Sequence, residues 1–343
     1  MSERRSSLFE LTRMRVLEFV RDPGALFWVF GFPILLAFVL GLAFRNRPPE
    51  PVRVVVVDSP AVMATLSKLD GFKVEEAPLD DAKWKLRRAQ VDLLVQSTPE
   101  GIVYRFDETR PEARIARLAT ENAIERAAGR ADPDKAVEQK VTEQGSRYID
   151  FLVPGLIGMN LMGSSMWGIG YGVVDARKRK LLKRLAATPM KRRDYLLSVL
   201  ASRLLFLVFE VAALVAIGWG AFGVEVQGSL LAVFGIAVLG GLSFAGIALL
   251  VAARPQSTET AAGLMNFVML PMYLLSGAFF SAKHFPEVIQ PVIQALPLTA
   301  LNNALRAVIN EGAPVSGQWV PIAILAGWGV ISFVVALRTF RWQ

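Results

Sequence analysis

Runs of about twenty apolar residues, separated by short polar stretches and one long one, set the pattern of this chain. A helix needs roughly 20 such residues to cross the hydrocarbon core of a bilayer. Six segments reach or approach that length: 25–44, 151–174, 204–224, 229–253, 261–282 and 319–337. Only the third carries a charge, at Glu210. A seventh apolar stretch, 288–301, is too short to span and is broken by Pro291 and Pro297. Such a segment predicts a re-entrant or interfacial helix, and the region 284–301 is read that way.

The polar stretches carry their own periodicities. Residues 1–22 predict a cytoplasmic interfacial helix, with Leu8, Phe9, Val16, Phe19 and Val20 on one side and Glu10, Arg13, Glu18 and Arg21 on the other, and Met14, Arg15 and Leu17 off the pattern. Asp22-Pro23-Gly24 then breaks the chain before the first span, 23–44. The long polar block, 45–148, is large enough for a small separate domain. Within it 52–58, 72–75, 91–96 and 102–106 predict strands, and 59–69, 80–89, 111–128 and 133–144 predict helices. The remainder, 149–343, holds spans two to six. The fold class expected is therefore an α-helical integral membrane protein. It has six transmembrane helices, with a small α/β domain between the first and second.

Charge orients this arrangement. From 175 to 203 there are ten Lys or Arg against two Asp or Glu, a local +8 that equals the formal charge of the whole chain. Positive charge concentrated in a short loop between spans marks the cytoplasmic side, whereas long domains translocate regardless of charge. The block 45–148 is then extracytoplasmic and both termini are cytoplasmic, in a cell (inner or plasma) membrane. Positive charge against a membrane points to anionic lipid rather than nucleic acid. The first apolar run ends GLAFRNR with no A-x-A site, so it is expected to be an uncleaved span rather than a signal peptide.

Candidate chemistry is sparse. There is no cysteine and one histidine, His284, so neither a metal site nor a nucleophilic triad is expected. No G-x-x-x-x-G-K-[ST] occurs, so the chain has no P-loop of its own for ATP. In the basic loop Leu181, Leu182 and Leu185 form one apolar edge, and Thr188-Pro189 stops or starts a helix. This fits a helix that docks on a cytoplasmic partner; it fits a lipid-bound positive loop as well. Glu210 either lines a pathway or pairs with Arg203 near the cytoplasmic face. Asn266, Met269, Pro271 and Met272 in the fifth span suit either an adaptable apolar path or core packing. The glycines of the second span, among them Gly155 and Gly158, permit close helix approach.

Three stretches carry a family resemblance. KRLAATPMKRRDYLLSVLASRLL (183–205) resembles the cytoplasmic loop of ABC-2 type transporter permeases. The segment 274–312 is similar to the family's late motif: Ser276-Gly277, Phe285-Pro286, Leu296-Pro297-Leu298-Thr299, Ala304-Leu305-Arg306 and Gly312. RDPGALFWVFGFPILL (21–36) looks like the family's entry into its first span. The chain departs from the pattern at Asp175 and the run from 177 to 180, which lacks glycine, and at Asn303, where the family often has an acid.

The resemblance implies the membrane subunit of an ABC exporter, not itself an enzyme. Cytoplasmic ABC ATPases would dock at a coupling segment containing Leu181, Leu182, Leu185, Thr188, Pro189 and Arg192. ATP and Mg would be held by those partners, with no cofactor on this chain. A second permease subunit, identical or related, completes the expected assembly. A hydrophobic or amphipathic, drug-like or lipid-like substrate fits the apolar spans. Pro286, Pro297 and Arg306 mark the outer re-entrant segment. The alternative is a membrane-anchored receptor or platform, whose outer domain binds a partner without transport.

Overall fold

The computed structural model describes residues 7–43, 51–130, 147–181, 184 and 192–339; the side chains of Ser7, His284 and residues 192–196 are outside that description. The expected helix at 133–144 also falls outside it. The chain divides into two compact units, Asn46–Lys140 and the remainder.

The smaller unit is a four-stranded sheet in the order β2-β1-β3-β4, with β1 Val52–Val57, β2 Phe72–Glu76, β3 Leu93–Thr98 and β4 Gly101–Arg105. The first three strands are parallel, and β4 returns antiparallel. Parallel neighbours need crossovers, supplied by two short helices, Pro60–Leu66 (α3) and Leu79–Arg87 (α4). The run of valines in β1 is continuous rather than alternating because both faces are covered. Val54 and Val56 pack with Leu66 and with Ala116 of α5 (Pro111–Ala127); Val55 and Val57 pack with Ala82 of α4. At the N-terminal edge Asp92 accepts from Arg53 at 2.9 and 3.1 Å and from Arg110 at 3.0 Å. Burial pushes the Asp92 carboxyl up. The bonds and charges of the two arginines outweigh that and hold it below its ordinary value.

The larger unit is helical. Helix α1 is Ser7–Val20, and α2 is Pro23–Ala43 with a π turn at Phe27–Gly31. Asp22 caps α2 by accepting from the backbone of Gly24 and Ala25. Helix α6 is Tyr148–Lys178, with a π turn at Met166–Tyr171, followed by α7 Arg192–Phe222, α8 Leu230–Ala252 and α9 Thr258–Leu275. Then come α10 Gln290–Ala295, α11 Pro297–Glu311 and α12 Trp319–Thr339.

Five helices among the described residues are long and apolar enough to cross a membrane: α2, α6, α7, α8 and α12. The stretch 287–295 with α11 forms a sixth candidate, bent by 82°. The expected fifth span, 261–282, appears instead as α9, which opens with the polar Thr258-Glu259-Thr260 and stops at Leu275. Its apolar length is correspondingly shorter.

Helix α1 differs from its expected wheel. Leu8, Leu11, Thr12, Arg15, Val16 and Phe19 turn inward, with Phe19 4.1 Å from Phe206 of α7 between ring centroids. Phe9 and Val20, expected on one apolar side with Leu8, Val16 and Phe19, are exposed, as are Met14 and Leu17. The apolar residues of α1 are divided between two faces, so a single-stripe reading fails.

The core of this unit is continuous through α6, α8 and α11, with Leu152, Leu156, Phe244, Leu301 and Leu305 fully enclosed. Glycine sets the closest approaches. A Cβ on Gly246 of α8 would lie 2.9 Å from the carbonyl oxygen of Gly329 in α12. Gly312 closes α11 in the left-handed region at φ 65°, donating its N–H to Ala307 O.

Candidate functional site

Helix ends impose a problem that an apolar environment makes acute. The last four carbonyls of a helix have no partner within it, and lipid supplies none. Among the described residues three arginines each bind the carbonyl end of a helix other than their own. Arg147, just ahead of α6, donates to Phe222 O at 3.1 Å and Gly223 O at 3.0 Å, at the end of α7. Arg177, in the last turn of α6, is buried and donates to Ala252 O at 3.0 Å and Pro255 O at 2.7 Å, at the end of α8. Arg306 of α11 donates to Gly277 O, just past the end of α9. A cation at the negative end of a helix dipole adds to each contact.

A second problem sits inside α6. Pro154 has no N–H, so the carbonyl of Asp150 has no helical partner. Asn310 Nδ2 donates to that oxygen at 2.9 Å. Arg306 takes the next carbonyl, Phe151 O, at 3.2 and 3.3 Å, and its guanidinium lies 3.6 Å from the centre of the Phe151 ring. Asp150 is itself fully buried, and its carboxylate receives Arg147 at 2.6 and 3.0 Å. The helix α11, behind its bend, thus stitches together the ends of α6 and α9.

The middle of the bundle holds one buried ion pair. Arg203 and Glu210 are two turns apart on α7, 7% and 2% exposed. Their contacts are bidentate, Nη1 to Oε1 at 2.6 Å and Nη2 to Oε2 at 3.1 Å. Helix α6 completes the network: Ser164 Oγ donates to Glu210 at 3.0 Å, and Arg203 reaches Ser164 at 2.7 Å and Ser165 at 3.1 Å. Buried charge is tolerated because the two ions meet at two points and the serines of α6 bind both of them.

The other residues singled out from the sequence scatter. Leu181 is exposed at the end of the described turn, while Leu182, Leu185, Thr188 and Pro189 lie outside the described residues. Arg192 begins α7, its side chain likewise outside. Asn266 is exposed on α9, whereas Met269 and Met272 are buried, so the three do not line one surface. Pro286 is exposed; Pro297 is buried as the first residue of α11. Sequence reasoning missed Arg147, Arg177 and Asn310 as binding groups. Pro154 within a span was the available signal, since a proline there demands an outside donor for the freed carbonyl.

A profile of the ABC-2 family transporter proteins matches residues 23–338. Nodulation protein J of Rhizobium meliloti (strain 1021) is 27% identical over 202 residues, covering 57% of this chain and 75% of that protein. The inner membrane transport permease YhhJ of Escherichia coli (strain K12) is 25% identical over 174 residues, 50% of this chain and 46% of that one. The probable multidrug ABC transporter permease YbhS of the same strain is 22% identical over 329 residues, 86% of each chain.

Proposed function

The chain belongs to the ABC-2 family of transporter proteins, and from that premise we propose that it is the permease subunit of an ATP-driven exporter for hydrophobic or amphipathic molecules. As a family permease it is a multi-pass membrane component of a transporter rather than an enzyme. Membership implies an ABC ATPase partner and a dimeric arrangement.

The finer reading has six spans, α2, α6, α7, α8, α9 and α12, with the bent α10–α11 pair re-entering from outside. Both termini are cytoplasmic, and the α/β unit is extracytoplasmic. The observation that carries it is the +8 charge of 175–203. The contacts agree with that sidedness. Arg147 with Asp150 and Phe222, Asn310 with Asp150, and Arg306 with Gly277 pair residues that are all assigned to the outer end. Arg177 with Ala252 and Pro255, and Lys178 with Thr258, do the same at the inner end.

The ATPases would engage the basic segment with Leu181, Leu182, Leu185, Thr188, Pro189 and Arg192, together with α1. Helix α1 packs on α7 and α6 runs into that segment, so a push there reaches two spans as rigid bodies. The apolar spans favour a drug-like or lipid-like substrate, and the word multidrug in a relative's name points the same way.

Two experiments test the reading. The chain has no cysteine, so Ser97→Cys and Gln256→Cys, both at exposed positions, give clean labels. They should react from opposite faces of intact cells; reaction from one face overturns the topology. Co-purification with the cognate ATPase should give ATP hydrolysis stimulated by apolar compounds. Normal transport by Leu182→Asp and Leu185→Asp would remove the coupling role.

A further inference from the structure

A groove of about 280 Å³ opens between the ends of α8, α9 and α12. Leu250, Val251, Leu264 and Val268 give it an apolar lining, which Arg254 and Thr339 share. From Leu264 to Val268 the wall formed by α9 runs one helical turn, about 6 Å. That is the depth of the first few methylenes of an acyl chain below its headgroup.

Arg254 is exposed and makes no hydrogen bond or ion pair among the described residues. The groups that would otherwise occupy it are taken. Arg177 already satisfies the carbonyls of Ala252 and Pro255 on either side of it. Two carboxylates described at this end, Asp175 and Glu259, are paired with Arg179 and Lys178. A guanidinium with no partner among the described residues, lining an apolar slot, matches an anionic headgroup beside an acyl chain. Thr339 adds no competing donor, since its hydroxyl is bound to Val335 O at 2.8 Å.

We propose that this groove is a binding site for one anionic phospholipid, with Arg254 on the phosphate and Leu250, Val251, Leu264 and Val268 against the upper acyl chain. The inference rests on the reading of this end as membrane-embedded and cytoplasmic, where anionic lipid is met. It does not depend on what is transported.

The test is native mass spectrometry of the full-length protein released from nanodiscs of phosphatidylglycerol and phosphatidylcholine in equal amounts. Wild type should retain phosphatidylglycerol in preference. Arg254→Gln should lose about fivefold of that preference, the worth of one basic residue at a membrane surface. Leu264→Trp, which fills the slot from a half-open position, should lower retention of both lipids, with unfolding temperature followed as a check on assembly. Inorganic phosphate at millimolar concentration should not displace the lipid. An unchanged preference in Arg254→Gln overturns the headgroup contact, and unchanged retention in Leu264→Trp overturns the slot. Displacement by phosphate alone would make the site a simple anion site and overturn the lipid assignment. Labelling of Gln256→Cys from outside would refute the topology while leaving these lipid readouts intact.

Discussion

Arg203 and Glu210 sit seven residues apart on one face of α7 and close a two-point ion pair at 2.6 and 3.1 Å, out of reach of solvent. Two turns is further than a short side chain reaches, but an extended arginine covers it. Ser164 and Ser165 then bind what the pair leaves open, which ties α7 to α6. The pair therefore acts as a clasp between two spans.

Breaking that clasp from one side should be worse than removing it. Glu210→Gln leaves a buried guanidinium without its countercharge, an effect of about 3–5 kcal/mol. Arg203→Gln should cost similarly. The double variant should recover much of the loss, because no unpaired charge remains. Thermal unfolding in detergent reads the cycle. Additive single losses would mean that the two groups act independently.

Acid sensitivity in the α/β unit should centre on Asp92. Its folded carboxyl lies below the ordinary value, held there by Arg53 and Arg110 against the opposing effect of burial. A group whose pKa is depressed by folding adds stability above the unfolded value, and that stability is lost as pH falls through the folded one. Protection factors for β1 and β3 amides, measured by hydrogen exchange on the full chain, should be higher in wild type than in Asp92→Asn at pH 7. The gap should close as the pH falls below the ordinary carboxylate value and through the lowered folded one. A gap that persists in acid would show that the asparagine disturbs packing rather than charge.

The sequence yielded the long helices readily, because a hydrocarbon-spanning run leaves few alternatives. It yielded the strands of the α/β unit for a similar reason: VRVVVVD has no polar face for a helix to show. It did not yield the order β2-β1-β3-β4, which depends on how two crossovers wind. Glu210 was visible as a lone charge in a span, and Arg203 as its possible partner. The carbonyl-binding roles of Arg147, Arg177 and Arg306 were not visible, since their partners lie 29 to 155 residues away in sequence. The wheel of α1 left Met14 and Leu17 off its apolar side, but it did not separate Phe9 and Val20, which are exposed, from Leu8, Val16 and Phe19.

Gly155 should not tolerate a methyl group. A Cβ there would lie 2.3 Å from the backbone oxygen of Ala278, and backbone cannot rotate away as a side chain does. Gly155→Ala should cost at least about 1–3 kcal/mol through forced separation of α6 from the turn after α9. Gly235→Ala, whose new methyl meets nothing within 4 Å, should be neutral or stabilising by up to about 1 kcal/mol as a helix-favouring change. Equal thermal stability of the two variants would show that α6 and the 277–278 turn are not in contact.

Asn310 is explained by Pro154, and that dependence is testable. The proline removes one N–H from α6, and Asn310 supplies the donor that Asp150 O then lacks, at 2.9 Å. In the wild-type background Asn310→Ala leaves a buried carbonyl unsatisfied, which costs about 1–3 kcal/mol. With Pro154→Ala the helix can make its own bond to Asp150 O. Asn310→Ala should then cost much less, so the two changes together should be milder than their sum. Arg306→Gln should behave differently. Its contacts include Gly277 O as well as Phe151 O, so restoring the helix at 154 leaves the end of α9 uncapped. Its cost should persist in the Pro154→Ala background. Unfolding temperatures of the six proteins, measured in one detergent, decide between the cases. If Asn310→Ala costs the same with and without the proline, the amide serves α11 itself. The stitching of α11 to α6 would then rest on Arg306 alone.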